Sequence, residues 1–204
     1  MYIPAIYKNE NQEDINAFIQ NNSFGILVNQ VDGKLWATHI PFELETQKEG
    51  KQVLYGHLSK ENPQWKSFAS DEQILVIFSG PNSYISPSWY DHENVPTWNY
   101  SAVHVYGSIK IIEGEALLDA LKKMIDKHER HSENPILMED LSAETMKQTE
   151  GIVAFEIEIN EIQAVRKLSQ NRDNKNYGNI ISQLEKKGKP DSTAIAKEMK
   201  KYRK

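Results

Sequence analysis

The sequence predicts an antiparallel β-barrel with peripheral helices, a mainly β protein of the α+β class. About seven runs of strand-forming residues occur along the 204-residue chain. The first two flank Asp32-Gly33, a dipeptide that strongly favours a hairpin. The predicted helices lie between and after the strands without alternating regularly with them, which argues against a parallel α/β sheet. The barrel therefore explains the pattern better than a doubly wound sheet does.

Composition limits the class of protein. The chain is 39% hydrophobic and 26% charged, which fits one globular domain, alone or with a small appendage. No apolar run approaches the roughly 20 residues that span a bilayer, and the first residues lack the pattern of a signal peptide. The absence of cysteine excludes disulfides, zinc thiolate sites and cysteine nucleophiles. We expect a cytoplasmic protein with no membrane partner.

The first half of the chain is predicted to be mostly strand. A short amphipathic helix is predicted at Glu13–Asn21. Asn62 followed by Pro63 indicates an N-cap and the first position of a helix that ends near Ser70. Gly56 indicates a bulge or a close approach to the backbone. The strand runs are Phe24–Val31, Lys34–Pro41 extended by Phe42-Glu43-Leu44, Gln52–Leu58, and the apolar run Gln73–Phe78, expected to be buried on both faces.

The second half mixes strands and helices. A long strand is predicted at Thr97–Ile112, and the apolar stripe of Gly114–Arg130 predicts a helix. A shorter helix is predicted at Ser142–Thr149. The remaining elements are two strands, Gly151–Ile159 and Ile162–Leu168, on either side of Asn160-Glu161, and two helices, Tyr177–Lys187 and Ser192–Lys201.

Charge is unevenly distributed. The net charge is −5, yet Glu185 to Lys204 carries eight basic and three acidic residues, so this tail is +5 and the rest of the chain is −10. We therefore divide the chain into a barrel domain, residues 1–175, and a basic helical appendage, residues 176–204. A basic tail on an acidic body can contact a phosphate polymer such as DNA. It is also what the helix macrodipole favours, so both interpretations stay open.

The stretch Ser79–Gly107 concentrates the aromatic residues of the chain. It contains two tryptophans and four tyrosines, interrupted by three prolines. Each such ring buries a large apolar area and offers one polar group that needs a partner. Rigid aromatic segments of this kind build pocket walls or subunit interfaces. Packing on the protein's own core is the alternative.

The residues that suit ligand binding are polar and basic. Polar side chains lie at strand ends and at the predicted helix start, where free N–H groups favour an anion; they are Thr38, His39, His57, Ser59, Lys60 and Asn62. The segment Lys167–Arg172, KLSQNR, ends the last strand with two cations. Together these groups suit a phosphate and a flat heterocycle, with Trp or Tyr as the stacking surface. Ordinary caps and turns are the alternative interpretation.

Other chemistries have weaker support. The strand histidines His39, His57 and His104 suggest a metal or haem site, but they lack metal-ligand spacing. His128 and His131 lie one helical turn apart on a charged helix. No nucleophile elbow, Walker loop or Rossmann glycine motif occurs. We therefore predict no catalytic triad and no metal ligands.

Five sequence blocks resemble those of a known family. ATHIPF, GHLSKENPQW, VIFSGPNSYISPSWY, VPTWNYSAVHVYG and KLSQNR occur here in the order found in the PaiB-like, FMN-binding negative transcriptional regulators. The resemblance covers roughly residues 1 to 187. It implies an FMN-binding split barrel, related to the pyridoxamine 5′-phosphate oxidase fold, that forms a homodimer with flavin at the subunit interface.

The resemblance also implies a set of flavin-binding residues. Residues along the flavin ring edge and the ribityl phosphate would be Thr38, His39, Ile40, Pro41, His57, Leu58, Ser59 and Asn62. Trp98 and Tyr100 would contact the ring. Lys167, Ser169 and Gln170 would close the site.

The function implied by the resemblance is repression of transcription, acting on DNA directly or through a partner. A flavin-dependent oxidoreductase of small molecules on the same barrel is the alternative. Since the cofactor performs the chemistry in such enzymes, few dedicated catalytic side chains would mark it in a sequence. A haem- or metal-binding protein is a third possibility.

Overall fold

The first two strands form the hairpin that Asp32-Gly33 predicts. The computed structural model describes residues 1–48, 50–68 and 73–203. In it, β1 (Phe24–Val31) and β2 (Lys34–Pro41) pair antiparallel up to the tight turn. Asp32 and Gly33 have φ angles of 51° and 75°. Positive φ at both turn residues is what a type I′ hairpin requires.

The remaining elements follow in chain order. The other strands are β3 (Glu43–Thr46), β4 (Gln52–Ser59), β5 (Gln73–Ile85), β6 (Thr97–Ile112) and β7 (Ile152–Lys167). The α-helices are α1 (Gln12–Asn21), α2 (Gly114–Glu129), α3 (Ala143–Met146), α4 (Asn174–Lys187) and α5 (Pro190–Tyr202). Single 3₁₀ turns occupy Ala5–Tyr7, Pro63–Ser67, Pro87–Trp89, Met138–Asp140 and Lys147–Gly151.

One seven-stranded sheet contains all of these strands. Its order is β2-β1-β5-β6-β7-β4-β3. The registers of β1 with β2 and β5, and of β4 with β3 and β7, are all antiparallel. β2, the first strand in this order, also lies against β4, the strand next to β3 at the other end of the order. The predicted fold class, an antiparallel split β-barrel with peripheral helices, is confirmed.

The chain forms two compact units. The first unit comprises Met1–Phe18, Ser79–His104 and Gln163–Lys204, and the second comprises Ile19–Phe78 and Val105–Ile162. Strands β5, β6 and β7 therefore contribute residues to both units. The division into a domain of residues 1–175 and an appendage of residues 176–204 stays a prediction.

The helices α4 and α5 pack closely within the first unit. Gly188, with a φ of 65°, ends α4, and Pro190 begins α5. Both predicted helices lie within these bounds. Their apolar faces join one buried cluster that also takes in strand residues: Ile85, Tyr90, Leu168, Tyr177, Ile180, Leu184, Ile195, Ala196 and Met199. The basic C-terminal segment is thus part of a hydrophobic core on one face and solvated on the other.

Three phenylalanine rings centre the core of the second unit. Phe42 packs edge to face on Phe78 and Phe155, with ring centroids 5.6 and 6.3 Å apart. A Cβ at Gly56 would lie 2.8 Å from the Phe155 ring. The close approach predicted at Gly56 is therefore confirmed, and the reason is that the ring occupies the space of a side chain.

Two strand predictions were wrong. The strands predicted on either side of Asn160-Glu161 are one continuous strand, β7. Neither residue has the positive φ that a two-residue hairpin needs. The extension of β2 through Phe42 also fails: β2 ends at Pro41, and the residues after Phe42 form β3, which pairs with β4.

Other boundaries differ more modestly. The helix that begins at Pro63 is a 3₁₀ turn ending at Ser67, and Ser70 lies outside the described residues. The helix predicted at Ser142–Thr149 splits into α3 and a 3₁₀ turn. β5 is longer than predicted, and its residues alternate between buried and half-exposed positions. Burial on both faces was therefore wrong. No helix in the described part of the chain is long and apolar enough to cross a bilayer.

Candidate functional site

A buried amide organises the polar residues of the second unit. The side chain of Gln64 is 0% exposed. Its Nε2 donates to Asn29 Oδ1 at 2.8 Å and to the Leu27 carbonyl at 3.2 Å. Its Oε1 accepts from the Thr38 hydroxyl at 2.5 Å. The residue thus joins β1, β2 and the 3₁₀ turn through three hydrogen bonds.

The predicted site residues Thr38 and Asn62 belong to this network. Asn62 Nδ2 donates to Thr38 Oγ1 at 2.9 Å, and Asn62 Oδ1 accepts from Gln64 N at 3.1 Å. The Thr38 hydroxyl therefore both donates and accepts within the protein. Thr38 pairs with Leu27 in the same set of hydrogen-bonded pairs as Phe42 N and the Ser23 carbonyl, so its backbone groups face β1, and the outward-facing backbone groups belong to its neighbours, such as His39. β2 is the end strand in the sheet order, so alternate backbone groups of β2 point away from β1.

The other β2 residues divide between surface and core. His39 is exposed, and its ring stacks on that of Phe24 at a centroid distance of 6.2 Å. Ile40 is buried, and Pro41 is half-buried. Leu58 on β4 is buried as well. The side chains of Ile40 and Leu58 pack into the core and are therefore not available to a ligand.

The end of β4 presents a hydroxyl and a cation. Ser59 and Lys60 are both exposed. Ser59 Oγ accepts from Glu61 N at 3.2 Å, and the Lys60 carbonyl accepts from Trp65 Nε1 at 3.0 Å. The Lys60 side chain is therefore placed on a turn that its backbone anchors. A hydroxyl and an ammonium at adjacent positions suit a phosphate group.

His57, two residues earlier on β4, is a half-buried and neutral group. Its Nδ1 is buried without a hydrogen-bond partner among the described residues. Burial lowers the pKa of His57 below its ordinary value. The ring is therefore neutral at pH 7, and it does not supply positive charge for a phosphate.

This burial makes stability depend on pH. The unfolded chain binds a proton at His57 more readily than the folded chain does, so stability is full above the ordinary value of 6.5 and falls as the pH drops below it. We expect the urea midpoint of the parent to decrease from pH 7.5 to 5.5. His57→Gln should flatten that slope while leaving the far-ultraviolet circular dichroism spectrum unchanged. An equal slope in parent and variant would contradict the prediction.

The first unit contributes an aromatic strand face. Residues of β6 alternate, so that Trp98, Tyr100 and His104 share one face, while Asn99 and Ser101 are buried on the other. Trp98 is 51% exposed and meets Tyr84 edge to face with ring centroids 6.0 Å apart. Beside these rings lies a cavity of about 310 Å³ lined by Ser79, Gly80, Asn82, Trp98, Tyr100, Ser101 and Ala102.

The remaining predicted residues, at the end of β7, are largely engaged within the first unit. Lys167 Nζ donates to Thr97 Oγ1 at 2.7 Å. Ser169 is buried, with a φ of 60°, and its hydroxyl donates to Asn99 Oδ1 at 3.0 Å. The amide of Gln170 bonds the Leu168 N–H and the Arg166 carbonyl. Ser169 and Gln170 thus shape this turn, whereas the Lys167 ammonium contacts the Thr97 hydroxyl and lies 5.9 Å from the centroid of the Tyr7 ring.

Sequence reasoning missed three residues. Gln64 gave no signal, because its partners are distant in the sequence. Tyr84 lies in the aromatic stretch but was not assigned a role. His104 was considered only as a metal ligand, yet its Nδ1 is buried without a described partner, and burial lowers its pKa. Within the described residues, no cluster of three or more potential ligands suits a metal ion.

Two solved structures share the fold of this chain. The FAD and haem binding protein of Mycobacterium smegmatis superposes with a TM-score of 0.62 at 16% identity, covering 79% of this chain and 73% of that one. The flavocytochrome Anf3 of Azotobacter vinelandii gives 0.62 at 19% identity, covering 84% and 75%. These likenesses show the fold.

The sequence comparisons define the family. A family model described as "Putative FMN-binding domain" matches residues 1–161. "Protease synthase and sporulation protein PAI 2" of Bacillus subtilis (strain 168) is 44% identical over 200 residues, covering 98% of this chain and 96% of the relative. The chain therefore belongs to the PaiB-like FMN-binding family, as its sequence blocks predict. At the level of the family, the predicted cofactor FMN is confirmed.

The residues present fit a flavin. The exposed rings of Trp98 and Tyr84 supply an apolar surface for a flat heterocycle. The unpartnered Nδ1 atoms of His57 and His104 are polar groups for which a bound ligand can provide the missing hydrogen bond. Ser59 and Lys60 offer a hydroxyl and a cation to a phosphate. Each feature is of the kind that the parts of FMN require.

Proposed function

We propose that the protein is an FMN-binding transcriptional regulator that acts as a homodimer, with the flavin at the interface between two copies. The observation that carries the proposal is the aromatic face of β6, with its half-exposed Trp98, in a chain of an FMN-binding family. FMN supplies one- and two-electron chemistry when bound. The name of the Bacillus relative links that protein to protease synthesis and sporulation, which agrees with a regulatory role.

In this proposal each part of the chain has one task. The rings of Trp98 and Tyr100 contact the isoalloxazine face. Within residues 38–41, the outward-facing backbone groups of His39 and the Pro41 carbonyl bond the ring edge, because β2 ends the sheet order and Thr38 and Ile40 pair with β1. Ser59 and Lys60 hold the phosphate. Lys167, the last residue of β7, closes the site with its ammonium group, which donates to the Thr97 hydroxyl.

The flavin site is tested by comparing FMN with riboflavin, which lacks the phosphate. Flavin fluorescence is titrated with parent protein and variants. Trp98→Ala should weaken both ligands by about tenfold, since aromatic stacking on a flat heterocycle contributes ~1–3 kcal/mol. Lys60→Gln should weaken FMN by roughly fivefold and leave riboflavin unchanged, because it removes only a charge-assisted contact.

The matched control is Lys66→Gln, which removes an equal charge from the exposed end of the same 3₁₀ turn. It should bind both flavins as the parent does. Equal loss of FMN affinity in Lys60→Gln and Lys66→Gln would show a general electrostatic effect and reject the phosphate assignment. An absence of FMN binding by the parent at tens of micromolar would reject the flavin site.

The homodimer is supported by exposed apolar side chains in the second unit. Phe24 on β1 is exposed, Leu35 on β2 is 77% exposed, and Trp36 beside it is also exposed. Exposed aromatic side chains such as those of Phe24 and Trp36 are enriched at subunit interfaces. We expect sedimentation equilibrium to show a dimer for the parent and a shift toward monomer for Leu35→Lys. A monomeric parent at tens of micromolar would contradict the proposal.

Duplex DNA is the proposed regulatory partner, contacted through the solvated face of α4 and α5. The lysines exposed there are Lys186, Lys187, Lys189, Lys197, Lys200 and Lys201, of which Lys200 pairs with Glu185 at 2.6 Å. Deleting this segment would remove the buried residues Ile195, Ala196 and Met199, so charge substitution is the better test.

The DNA contact is tested by replacing Lys186, Lys187 and Lys197 together with glutamine. Binding to duplex DNA should weaken, and the slope of log K against log salt should become shallower by about one for each phosphate that the variant no longer neutralises. Replacing the exposed Lys34, Lys48 and Lys66 removes the same charge elsewhere and should preserve the slope. Equal effects of the two triple variants would reject a contact at these helices.

A further inference from the structure

The first unit contains a second cavity, separate from the aromatic face of β6. It has a volume of about 640 Å³, within the range of small-molecule sites. We call it the arginine–tyrosine pocket. The lining residues that carry the argument are Tyr7, Asp14, Arg166, Tyr177, Tyr202 and Arg203.

Both guanidinium groups of the pocket lie on tyrosine rings. The Arg166 guanidinium carbon is 3.4 Å from the centroid of the Tyr202 ring, and that of Arg203 is 3.8 Å from the centroid of the Tyr177 ring. Stacking fixes the plane of a guanidinium and leaves its N–H edge for hydrogen bonds. The opposite flat face of each group is also a stacking surface for a planar molecule.

The pocket carries more positive than negative charge. Arg166 has a side chain only 12% exposed, and its Nη1 lies 3.4 Å from Asp14 Oδ2, longer than the 2.7–2.9 Å of a strong charge-assisted bond. Asp14 also accepts from the Tyr202 hydroxyl at 3.2 Å. Arg203 donates to the neutral amide oxygen of Asn174. Of the two guanidinium groups, Arg166 is paired with a described carboxylate, that of Asp14, whereas the described ion pairs include none for Arg203.

The rim does not reverse this balance. Lys8 and Glu10 line the cavity and pair with each other at 2.5 Å. Counting three cations and two carboxylates, the lining has a net charge of +1. A guanidinium offers five N–H donors. The described contacts of Arg166 engage one donor nitrogen, and those of Arg203 engage the Asn174 oxygen and the Tyr177 hydroxyl, so donors remain on both groups. Oriented donors with surplus positive charge favour an anion.

We propose that the arginine–tyrosine pocket binds a small planar anion, an aromatic carboxylate or aromatic phosphate ester, distinct from the flavin. The anionic group meets the N–H edges of Arg166 and Arg203, and the ring lies between the guanidinium planes and Tyr7. Apart from Gln170, whose amide bonds backbone groups, the lining shares no residue with the proposed flavin site. The ligand would bridge the N-terminal segment and the end of α5.

The proposal is tested by ¹⁹F nuclear magnetic resonance on the full chain. The probes are 4-fluorobenzoate, 4-fluorophenyl phosphate and the neutral 4-fluorobenzamide. Saturable line broadening is expected for the two anions and not for the amide. Arg203→Gln should weaken anion binding by roughly tenfold or more, the loss expected for a hydrogen bond to a charged group.

Two further variants make the result interpretable. Lys34→Gln removes the same charge at an exposed position outside the pocket lining, and should bind the anions as the parent does. Arg203→Lys keeps the charge and loses the planar fork, so it should weaken binding less than Arg203→Gln while retaining the fold by circular dichroism.

Three outcomes would overturn the proposal. The first is equal broadening of the amide and the anions, and the second is unchanged anion binding in folded Arg203→Gln and Arg203→Lys. The third is displacement of 4-fluorobenzoate by saturating FMN, which would make the pocket part of the flavin site. Binding of the probes by a parent that binds no flavin would support the pocket while rejecting the proposed flavin function, so the two proposals fail separately.

Discussion

Replacing Gly107 with alanine is expected to destabilise the protein by about 3 kcal/mol or more. Gly107 lies in β6, and a Cβ there would overlap the carbonyl oxygen of Glu158 and crowd the Ile157 side chain. A carbonyl within a central strand cannot rotate away without breaking the ladder. At about 2–4 °C per kcal/mol for a chain of this size, thermal unfolding should shift down by roughly 6–12 °C.

The same substitution at Gly178 is the control. Gly178 is exposed within α4, and no atom lies within 4 Å of its Cβ position. Since alanine favours helix over glycine, Gly178→Ala should raise stability by about 0.5–1 kcal/mol. Thermal unfolding followed by circular dichroism decides the matter. Opposite signs are expected, and a Gly107→Ala protein as stable as the parent would show that the two strands separate easily.

Replacing Gln64 with alanine is expected to have the second large effect, a loss of about 3 kcal/mol or more. The change removes the donor to the buried Asn29 Oδ1, the acceptor of the Thr38 hydroxyl proton and one of the donors to the Leu27 carbonyl. Each unsatisfied buried group costs about 1–3 kcal/mol, and the truncated side chain also leaves a cavity. Urea unfolding at constant m-value measures the loss.

Two variants distinguish hydrogen bonding from size. Gln30→Ala truncates an exposed glutamine on β1 and should change stability by less than about 0.5 kcal/mol. Gln64→Glu keeps the shape but places an acceptor against the Leu27 carbonyl, so its loss should be greater at pH 8 than at pH 5, where the carboxyl is more readily protonated. A loss in Gln64→Ala no larger than in Gln30→Ala would show that the network carries little stability.

Local signals predicted the parts of the fold that depend on neighbouring residues. Asp32-Gly33 marked the hairpin because positive φ is a property of the turn itself. Asn62 marked its cap because its side chain accepts from the backbone N–H of Gln64, only two residues away. The prediction of a turn at Asn160-Glu161 was wrong because it depended on the polarity of these residues alone. A two-residue hairpin turn also needs residues suited to positive φ.

The candidate site could be predicted in kind but not in detail. The aromatic stretch suggested a pocket wall, and Trp98 and Tyr100 do line a cavity. Thr38, Ser169 and Gln170 were assigned to the flavin, yet their side chains bond other protein groups. The flavin-binding roles of these residues stay predictions.

The sequence by itself determined the fold class, the hairpin and the family, because each depends on residue order and local pattern. Only the tertiary structure decided which polar groups form hydrogen bonds within the protein. Gln64 reaches Leu27 across 37 positions of sequence, and the arginine–tyrosine pocket joins Tyr7 and Asp14 to Arg166 and Arg203. The physical reason is that burial and hydrogen-bond distance, which set the cost of a polar group, arise only when remote segments pack together.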